Sequence, residues 1–178
     1  ISKLLEKKGH EVQKEYYVND AGRQIDILTA RVYLRAMSIE DNIFPKSAYR
    51  GKYINEISKS VNLQEAVNIG DLFNNLPDDE EEKIDEIIAY LKSASDKDWY
   101  SIKKVSLENV LSTIEKDLKD FGVTFNNWFL ESSLLGADSK IDAAVQQLDK
   151  NNLIDNRDGN IWFKSSDFGD DKDRVLIR

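Results

Sequence analysis

Three carboxylates stand close together near the end of the sequence, at Asp170, Asp171 and Asp173. Carboxylate oxygens are the ligands that hard cations such as magnesium prefer. Lys172 lies between them, however, and no glycine-spaced ligand loop surrounds them. The segment therefore has two interpretations, a metal site or a charged turn between strands, and the intervening lysine favours the turn.

A second polar segment, NDAGRQ at residues 19–24, directly follows the Val- and Tyr-rich run EVQKEYYV at residues 11–18. The run alternates as a strand does. Asn19 or Asp20 can cap the following helix by accepting a hydrogen bond from a free backbone N–H. Taken alone, this segment predicts a strand followed by the start of a helix.

Composition excludes several kinds of site. The 178 residues include no cysteine and one histidine, His10, so disulfides, thiolate metal sites and two-histidine sites cannot form within the chain. Neither GxxxxGK nor GxGxxG occurs. No apolar run has membrane-spanning length, and no signal-peptide pattern opens the chain. The net charge of −8 argues against tight nucleic-acid binding by this chain alone.

The spacing of apolar residues predicts the helices and strands around the two polar segments. ISKLLEKKGH reads as the last turns of a helix stopped by Gly9, and RVLIR reads as a strand, so both ends predict an internal fragment. Helix, strand and helix in this order predict an α/β unit with a parallel sheet. Asp158-Gly159 lies between two apolar runs and predicts a type I′ hairpin turn in a small antiparallel sheet.

The middle of the chain is helical by spacing. Five acids at residues 78–82 precede isoleucines at helical spacing, so they are interpreted as a helix N-terminus where the macrodipole favours negative charge, rather than as a binding tail. An apolar stripe over residues 106–122 predicts a helix that faces the core, with a partner-binding groove as the alternative, and residues 140–151 predict a shorter helix with an inward apolar face. Residues 41–95 are predicted to be the least ordered region.

Five blocks of the sequence extend this interpretation through their resemblance to a known family. The blocks EYYVNDAGRQI, YRGKYI, FNNWFLESSL, KIDAAVQQLDKNNLI and GNIWFKSSDFGDDKDRVLIR resemble, in order and approximate spacing, consecutive parts of bacterial arginyl-tRNA synthetases. The first and last blocks are the most specific, whereas residues 63–104 carry almost no family signal. The resemblance implies a class I synthetase with a Rossmann-type α/β catalytic domain, interrupted by a mixed helical and antiparallel-sheet insertion.

The resemblance also implies a domain division and an activity. Residues 1–40 would belong to the nucleotide-binding catalytic half, and residues 41–178 to the insertion with its return strand. The intact enzyme would join L-arginine to ATP, accompanied by Mg²⁺, and transfer it to the 3′ end of its tRNA in the cytoplasm. The family's His-x-Gly-His and Lys-Met-Ser-Lys motifs would lie outside this chain, so the fragment alone is expected to be inactive and to bind no cofactor tightly.

Site residues follow from the same resemblance. Asn19 and Asp20, at the end of the first strand, would face the ligand crevice beyond the strands and help to shape the arginine or adenylate pocket. Gly22 would allow close backbone approach, and Gln24 would contribute a hydrogen bond. The capping interpretation of the first two residues remains open beside this one. No catalytic residue or metal ligand is assigned to this chain.

The resemblance places the FGDDKDRVL block on the path from the insertion back toward the active site. Lys172 and Arg174 would contact the tRNA acceptor end while the neighbouring acids hold the turn, and a salt-bridge network is the alternative. In the YRGKYI block, Tyr49 and Tyr53 are expected to pack the insertion onto the core.

Two alternatives from other functional classes remain. The acidic helical middle fits a protein-interaction module without catalysis. A carboxylate-based hydrolase is weaker, because no pair of acids is distinguished by its surroundings as general acid and general base.

Overall fold

The computed structural model describes residues 1–39, 51–65, 67–136 and 139–177. Contacts divide the chain into two compact units, Ile1–Phe129 and Leu130–Arg178. The helices of the first unit are α1 (Ser2–Lys7), α2 (Arg23–Ala36), α3 (Lys52–Ser60), α4 (Gly70–Asn74), α5 (Glu80–Ala94) and α6 (Asp96–Asp120). Its strands are β1 (Glu15–Val18) and β2 (Asn127–Leu130), which pair in a two-stranded sheet.

Helix α2 is the centre of the first unit's core, because nine of its 14 residues are buried. It contacts α3, α5 and α6. Its buried apolar residues are Ile25, Ile27, Leu28, Ala30, Val32, Tyr33 and Leu34. Such burial is the main favourable term in folding, and it holds the start of α2 in a fixed place beside the end of β1.

Helix α5 confirms the interpretation of the acidic run. The Asp79 carboxylate accepts hydrogen bonds from the backbone N–H groups of Glu81 at 2.9 Å and Glu82 at 3.0 Å. Ile84, Ile87, Ile88 and Leu91 are buried, as their spacing predicts. The prediction of a loosely ordered region over residues 41–95 is therefore wrong for α5 and also for α3, because isoleucines on one face of each helix enter the core.

The sheet of the first unit is smaller than predicted. Strand β1 occupies only the second half of the predicted run at residues 11–18. Aromatic rings join it to the segment around β2, with Tyr16 4.6 Å from Trp128 and Tyr17 5.9 Å from Phe129 between ring centroids. The molecule is thus a mixture of helix and sheet, consistent with the α/β class.

The second unit confirms the predicted antiparallel sheet. It contains α7 (Lys140–Lys150), β3 (Ile154–Arg157), β4 (Asn160–Phe163) and β5 (Arg174–Ile177), with short 3-10 helices at Glu131–Leu134 and Ser165–Phe168. The strands are antiparallel in the order β3-β4-β5. Asp158 and Gly159 adopt φ of 51° and 76°, as a type I′ turn requires.

Several predictions have other outcomes. The apolar residues of α7 are half-buried or exposed rather than buried, with Ile141 38% exposed. The N-terminal helix ends as predicted before Gly9, whose φ is 87°. Tyr49 lies outside the described residues. None of the helices in the described ranges has the length and hydropathy needed to cross a membrane.

Candidate functional site

The NDAGRQ segment forms the connection between β1 and α2. Strand β1 ends at the buried Val18, and the Asp20 N–H donates to the Val18 carbonyl at 3.1 Å. Asp20 is itself buried, at 7% exposure. The N-cap of α2 is Gly22, so the prediction that Asn19 or Asp20 occupies the cap position is wrong by two or three residues. The helix begins later because the chain turns at residues 19–22 before it becomes helical.

Gly22 is a point of close approach for the side chain of Asn19, whereas the close approach to a ligand predicted for Gly22 stays a prediction. A Cβ atom at residue 22 would lie 2.8 Å from Asn19 Oδ1. Any larger residue there would displace the Asn19 amide. The glycine thus lets the connection fold tightly enough for Asn19 to lie over the start of α2.

A cavity of about 570 Å³ lies beside this connection. Asn19 and Gln24 both line it, whereas Asp20 and Gly22 support the connection from outside the lining. The remaining wall is formed by residues of β1, α2, α3 and α6: Tyr16, Tyr17, Val18, Ile25, Leu28, Tyr53, Glu56, Ile57, Leu107, Asn109, Val110, Leu111, Thr113 and Ile114. The structure thus brings together two of the four predicted substrate-binding residues on one cavity wall.

The apolar stripe of α6 explains most of the opposite wall. Leu107, Val110, Leu111 and Ile114 are half-buried because they face the cavity, and Phe121 at the end of the stripe is 88% exposed. Leu107 and Val110 also pack against the core, so the prediction that the whole stripe is core is wrong from Leu111 onward. Helical spacing identifies a common face, but it does not distinguish a cavity wall from a packed interior.

Glu56 and Tyr53 of α3 are lining residues that sequence reasoning did not assign to this site. Among the described residues, Glu56 is the one carboxylate in the lining, and it gives the cavity a negative group beside neutral residues. The YRGKYI block was the available signal, but it indicated core packing rather than a cavity. A mostly apolar cavity with amide groups and one acid suits a ligand that combines an aliphatic part with polar ends.

The acidic segment of the second unit is a salt-bridge network. Arg174 donates to Asp170 from Nε at 2.7 Å and from Nη2 at 2.6 Å, and Nη2 also contacts Asp171 at 2.8 Å. The Arg174 hydrogen bond is the largest reason why the pKa of Asp170 lies well below its usual value. Asp173 instead accepts from Ser166 Oγ at 2.6 Å and from Arg157 Nη2 at 2.9 Å.

These contacts are those of a charged turn. Each carboxylate of the segment is engaged by a guanidinium or hydroxyl donor, and no cluster of acids and histidines suited to a metal ion occurs among the described residues. Lys172 differs from Arg174. Its carbonyl accepts from Ser165 Oγ at 2.8 Å, while its exposed side chain makes no ion pair within the part of the chain that the structure describes.

Comparisons with known proteins agree with the resemblance to arginyl-tRNA synthetases. No family model matches the chain. Arginine–tRNA ligases from Acinetobacter baylyi and from Psychrobacter cryohalolentis are each 38% identical to it, over all of this chain. The chain spans 34% and 32% of their respective lengths. A crystal structure of an arginyl-tRNA synthetase from Campylobacter jejuni superposes with a TM-score of 0.68 and 26% identity, over 99% of this chain and 34% of that one.

These relatives are aminoacyl-tRNA synthetases, and the chain is similar to one part of them. Within that class, its homologues are the arginine–tRNA ligases, and the chain corresponds to about a third of them. The resemblance carried by the NDAGRQ and FGDDKDRVL blocks is therefore confirmed.

Proposed function

We propose that the full-length protein carrying this segment is an arginine–tRNA ligase. The observation that carries the proposal is the 38% identity to arginine–tRNA ligases over the whole segment. In the proposal, residues 1–40 belong to a Rossmann-type nucleotide-binding half and residues 41–178 to the insertion with its return strand. The substrates are L-arginine, ATP and tRNA, and the compartment is the cytoplasm.

The proposed reaction has two steps. The arginine carboxylate attacks the α-phosphorus of ATP, forming the arginyl-adenylate and releasing pyrophosphate. A hydroxyl of the terminal tRNA ribose then attacks the arginyl carbonyl and releases AMP. Both steps depend mainly on positioning and on charge stabilisation, because the reacting bonds belong to the substrates. Mg²⁺ accompanies ATP as its counter-ion, and no metal ligand is assigned to this segment.

The proposed contribution of this segment to the first step is a binding wall. Asn19 and Gln24 line the cavity with amide groups that can donate and accept hydrogen bonds with arginine or its adenylate. Asp20 and Gly22 keep these two residues in place through the tight connection after β1. The segment contains neither His-x-Gly-His nor Lys-Met-Ser-Lys, so by itself it is expected to catalyse neither step.

Charging by the full-length protein tests the proposal. Labelled arginine, ATP, Mg²⁺ and cognate tRNA should give arginyl-tRNA, while labelled lysine as a control should give none. Asn19→Ala and Gln24→Ala should each raise the arginine KM about two- to tenfold, the loss of one hydrogen bond. Gln146→Ala, on the exposed surface of α7, is the matched control and should leave KM unchanged. A well-folded wild-type protein that charges no arginine would contradict the proposal.

For tRNA binding we propose a contact by Lys172, with a smaller contribution from Arg174. The side chain of Lys172 is exposed, whereas the Arg174 guanidinium is neutralised by Asp170 and Asp171. Lys172→Ala should weaken tRNA binding and reduce the slope of log affinity against log salt by about 1. Lys150→Ala, an exposed lysine of α7, is the control. An unchanged tRNA KM and salt slope for both Lys172→Ala and Arg174→Ala would exclude this contact.

A further inference from the structure

We propose that helix α5 positions the substrate-binding connection through a charge clasp on the first turn of α2. The charge clasp consists of Arg23 and Asp26 on α2 together with their partners on α5 and α6: Glu81, Asp85, Lys92 and Lys103. Its role in arginine binding rests on the function proposed above. The resemblance carries almost no signal over α5, so this role comes from the contacts alone.

The first half of the charge clasp holds Arg23, the residue between Gly22 and Gln24. Its Nε donates to Asp85 Oδ1 at 2.8 Å, and its Nη1 donates to Glu81 Oε2 at 2.8 Å. Its Nη2 also reaches the Glu81 carbonyl at 3.3 Å. Three contacts on one planar guanidinium restrict its direction as well as its distance.

The second half holds Asp26, three residues after Arg23 in the same first turn of α2. Its two carboxylate oxygens accept from Lys92 Nζ at 2.7 Å and from Lys103 Nζ at 3.1 Å. The Asp26 side chain is only 16% exposed, so these pairs are less screened by solvent than those of Arg23. Lys92 also lies over the ring of the buried Trp99, 5.3 Å from its centroid, which restricts the position of its ammonium group.

The signs of the charges select one register of α5 on α2. The N-terminal turns of α5 carry the acids that hold Arg23, and its last turn carries Lys92, which holds Asp26. A shifted or reversed helix would bring like charges together, which is repulsive. The apolar core between these helices provides attraction without such direction, because burial is non-directional.

The position of Arg23 explains why the charge clasp acts on the site. A cation at a helix N-terminus is disfavoured by the macrodipole, so the acids of α5, rather than α2 itself, determine where this residue lies. Gln24 follows it directly and lines the cavity. The Arg23 backbone also follows Gly22, over which Asn19 lies. A displacement of Arg23 is therefore transmitted to both lining amides.

Hydrogen exchange tests the structural part of the proposal in the full-length protein. Glu81→Gln combined with Asp85→Asn should increase amide exchange in a peptide covering residues 19–26 by about fivefold, while exchange in the buried part of α6 stays unchanged. Glu82→Gln is the matched control, because Glu82 lies in the same turn of α5 and makes no ion pair among the described residues. Unchanged exchange at residues 19–26 in the double variant would overturn the proposal.

Kinetics test the functional part. The double variant should raise the arginine KM about fivefold while kcat changes less than about twofold, because the change affects positioning of the ground state. Arg23→Glu should act in the same direction. Combining Arg23→Glu with Glu81→Arg and Asp85→Arg should restore most of the wild-type KM, since opposite charges again face each other. A lack of any restoration would contradict the charge clasp.

The two proposals fail in different ways. If the wild-type protein does not charge arginine but the double variant still loosens residues 19–26, the proposed function fails and the charge clasp stands. If charging is normal and neither exchange nor KM responds to the variants, the charge clasp fails and the proposed function stands. A general loss of exchange protection throughout residues 1–129 would mean that these pairs only stabilise the fold, which also overturns positioning.

Discussion

The two units of this molecule are stabilised differently. Residues 1–129 contain a buried apolar core in which Ile87, Leu91 and Ile102 have no exposed surface. Among the described residues of 130–178, no apolar side chain is buried, and Ser165 is the single buried residue. The second unit is instead held by strand pairing, a glycine turn and ion pairs. Compact units of one chain can therefore rest on apolar burial or on directional polar contacts.

This difference has consequences for how each unit responds to change. Apolar burial depends little on pH or salt, whereas ion pairs between exposed groups are weakened by both. In the second unit, Arg157 contacts both Asp155 at 2.6 Å and Asp173 at 2.9 Å, and Lys164 contacts Asp155 at 3.3 Å. We expect the truncation of apolar side chains to lower the stability mainly of the first unit. Acid and salt should lower the stability mainly of the second unit.

The largest loss of stability is expected when a side chain in the core of the first unit is shortened. Ile87→Ala should lower the free energy of unfolding by about 2–5 kcal/mol, because it removes buried methyl groups and leaves a cavity. Urea denaturation followed by the fluorescence of the buried Trp99 measures this change. Ile141→Ala in the second unit, where the side chain is 38% exposed, is the counterpart and should cost less than about 1 kcal/mol. Equal losses would contradict the comparison.

The next largest loss of stability is expected when a buried carboxylate of the first unit is removed. Asp98 is 2% exposed and accepts the backbone N–H groups of Gln64 at 3.0 Å and Glu65 at 3.0 Å. Asp98→Ala should cost about 1–3 kcal/mol, since it leaves these donors without their acceptor. Asp96→Ala, in the same first turn but exposed, controls for the helix dipole. A similar loss of stability in both variants would assign the effect to the dipole.

A turn substitution tests the second unit. Gly159 has φ of 76° and nothing within 4 Å of the position a Cβ would occupy. Gly159→Ala should therefore cost about 1–2 kcal/mol through backbone strain alone. Amide resonances of β3 and β4, followed through urea unfolding, report this loss. Asp158→Gly at the neighbouring position, with φ of 51°, should be tolerated. Greater loss in the Asp158 variant would contradict the I′ turn argument.

Acid should produce the smallest and most selective effect. The pKa of Asp155 is lowered mainly by its hydrogen bond with Arg157, and the pKa of Asp173 mainly by its hydrogen bond with Ser166. Because both values are depressed in the folded state, their stabilisation is complete above the ordinary value of 3.8 and is lost as the pH falls through the folded values.

Unfolding monitored at pH 6, 4 and 3 checks this prediction. The transition of β3–β5 should shift to lower urea concentration below about pH 4, and the shift should be smaller in Asp155→Asn. Amides of α2 and α5 serve as the internal comparison within the same sample. If acid shifted the unfolding of those helices more than that of β3–β5, the comparison would be wrong. The first unit, rather than the second, would then depend on ion pairs.

Sequence reasoning was most accurate where the signal is local. The spacing of Ile84, Ile87 and Leu91, the acids before them, and the Asp158-Gly159 turn each depend on a few neighbouring residues. Prediction was less accurate at the end of β1, where the helix begins at Arg23 rather than after Asn19. A cap candidate identifies a possible helix start, but the tight connection determines which residue is the N-cap.

The amino-acid sequence by itself determined the periodicity of the helices, the hairpin turn and the resemblance to arginyl-tRNA synthetases. These features rest on spacing and residue type, which are present before the chain folds. Only the tertiary structure decided that most of the α6 stripe lines a cavity and that Arg23 pairs with acids 58 and 62 residues away. The physical reason is that a charge or an apolar face has many possible partners along a chain, and packing selects among them.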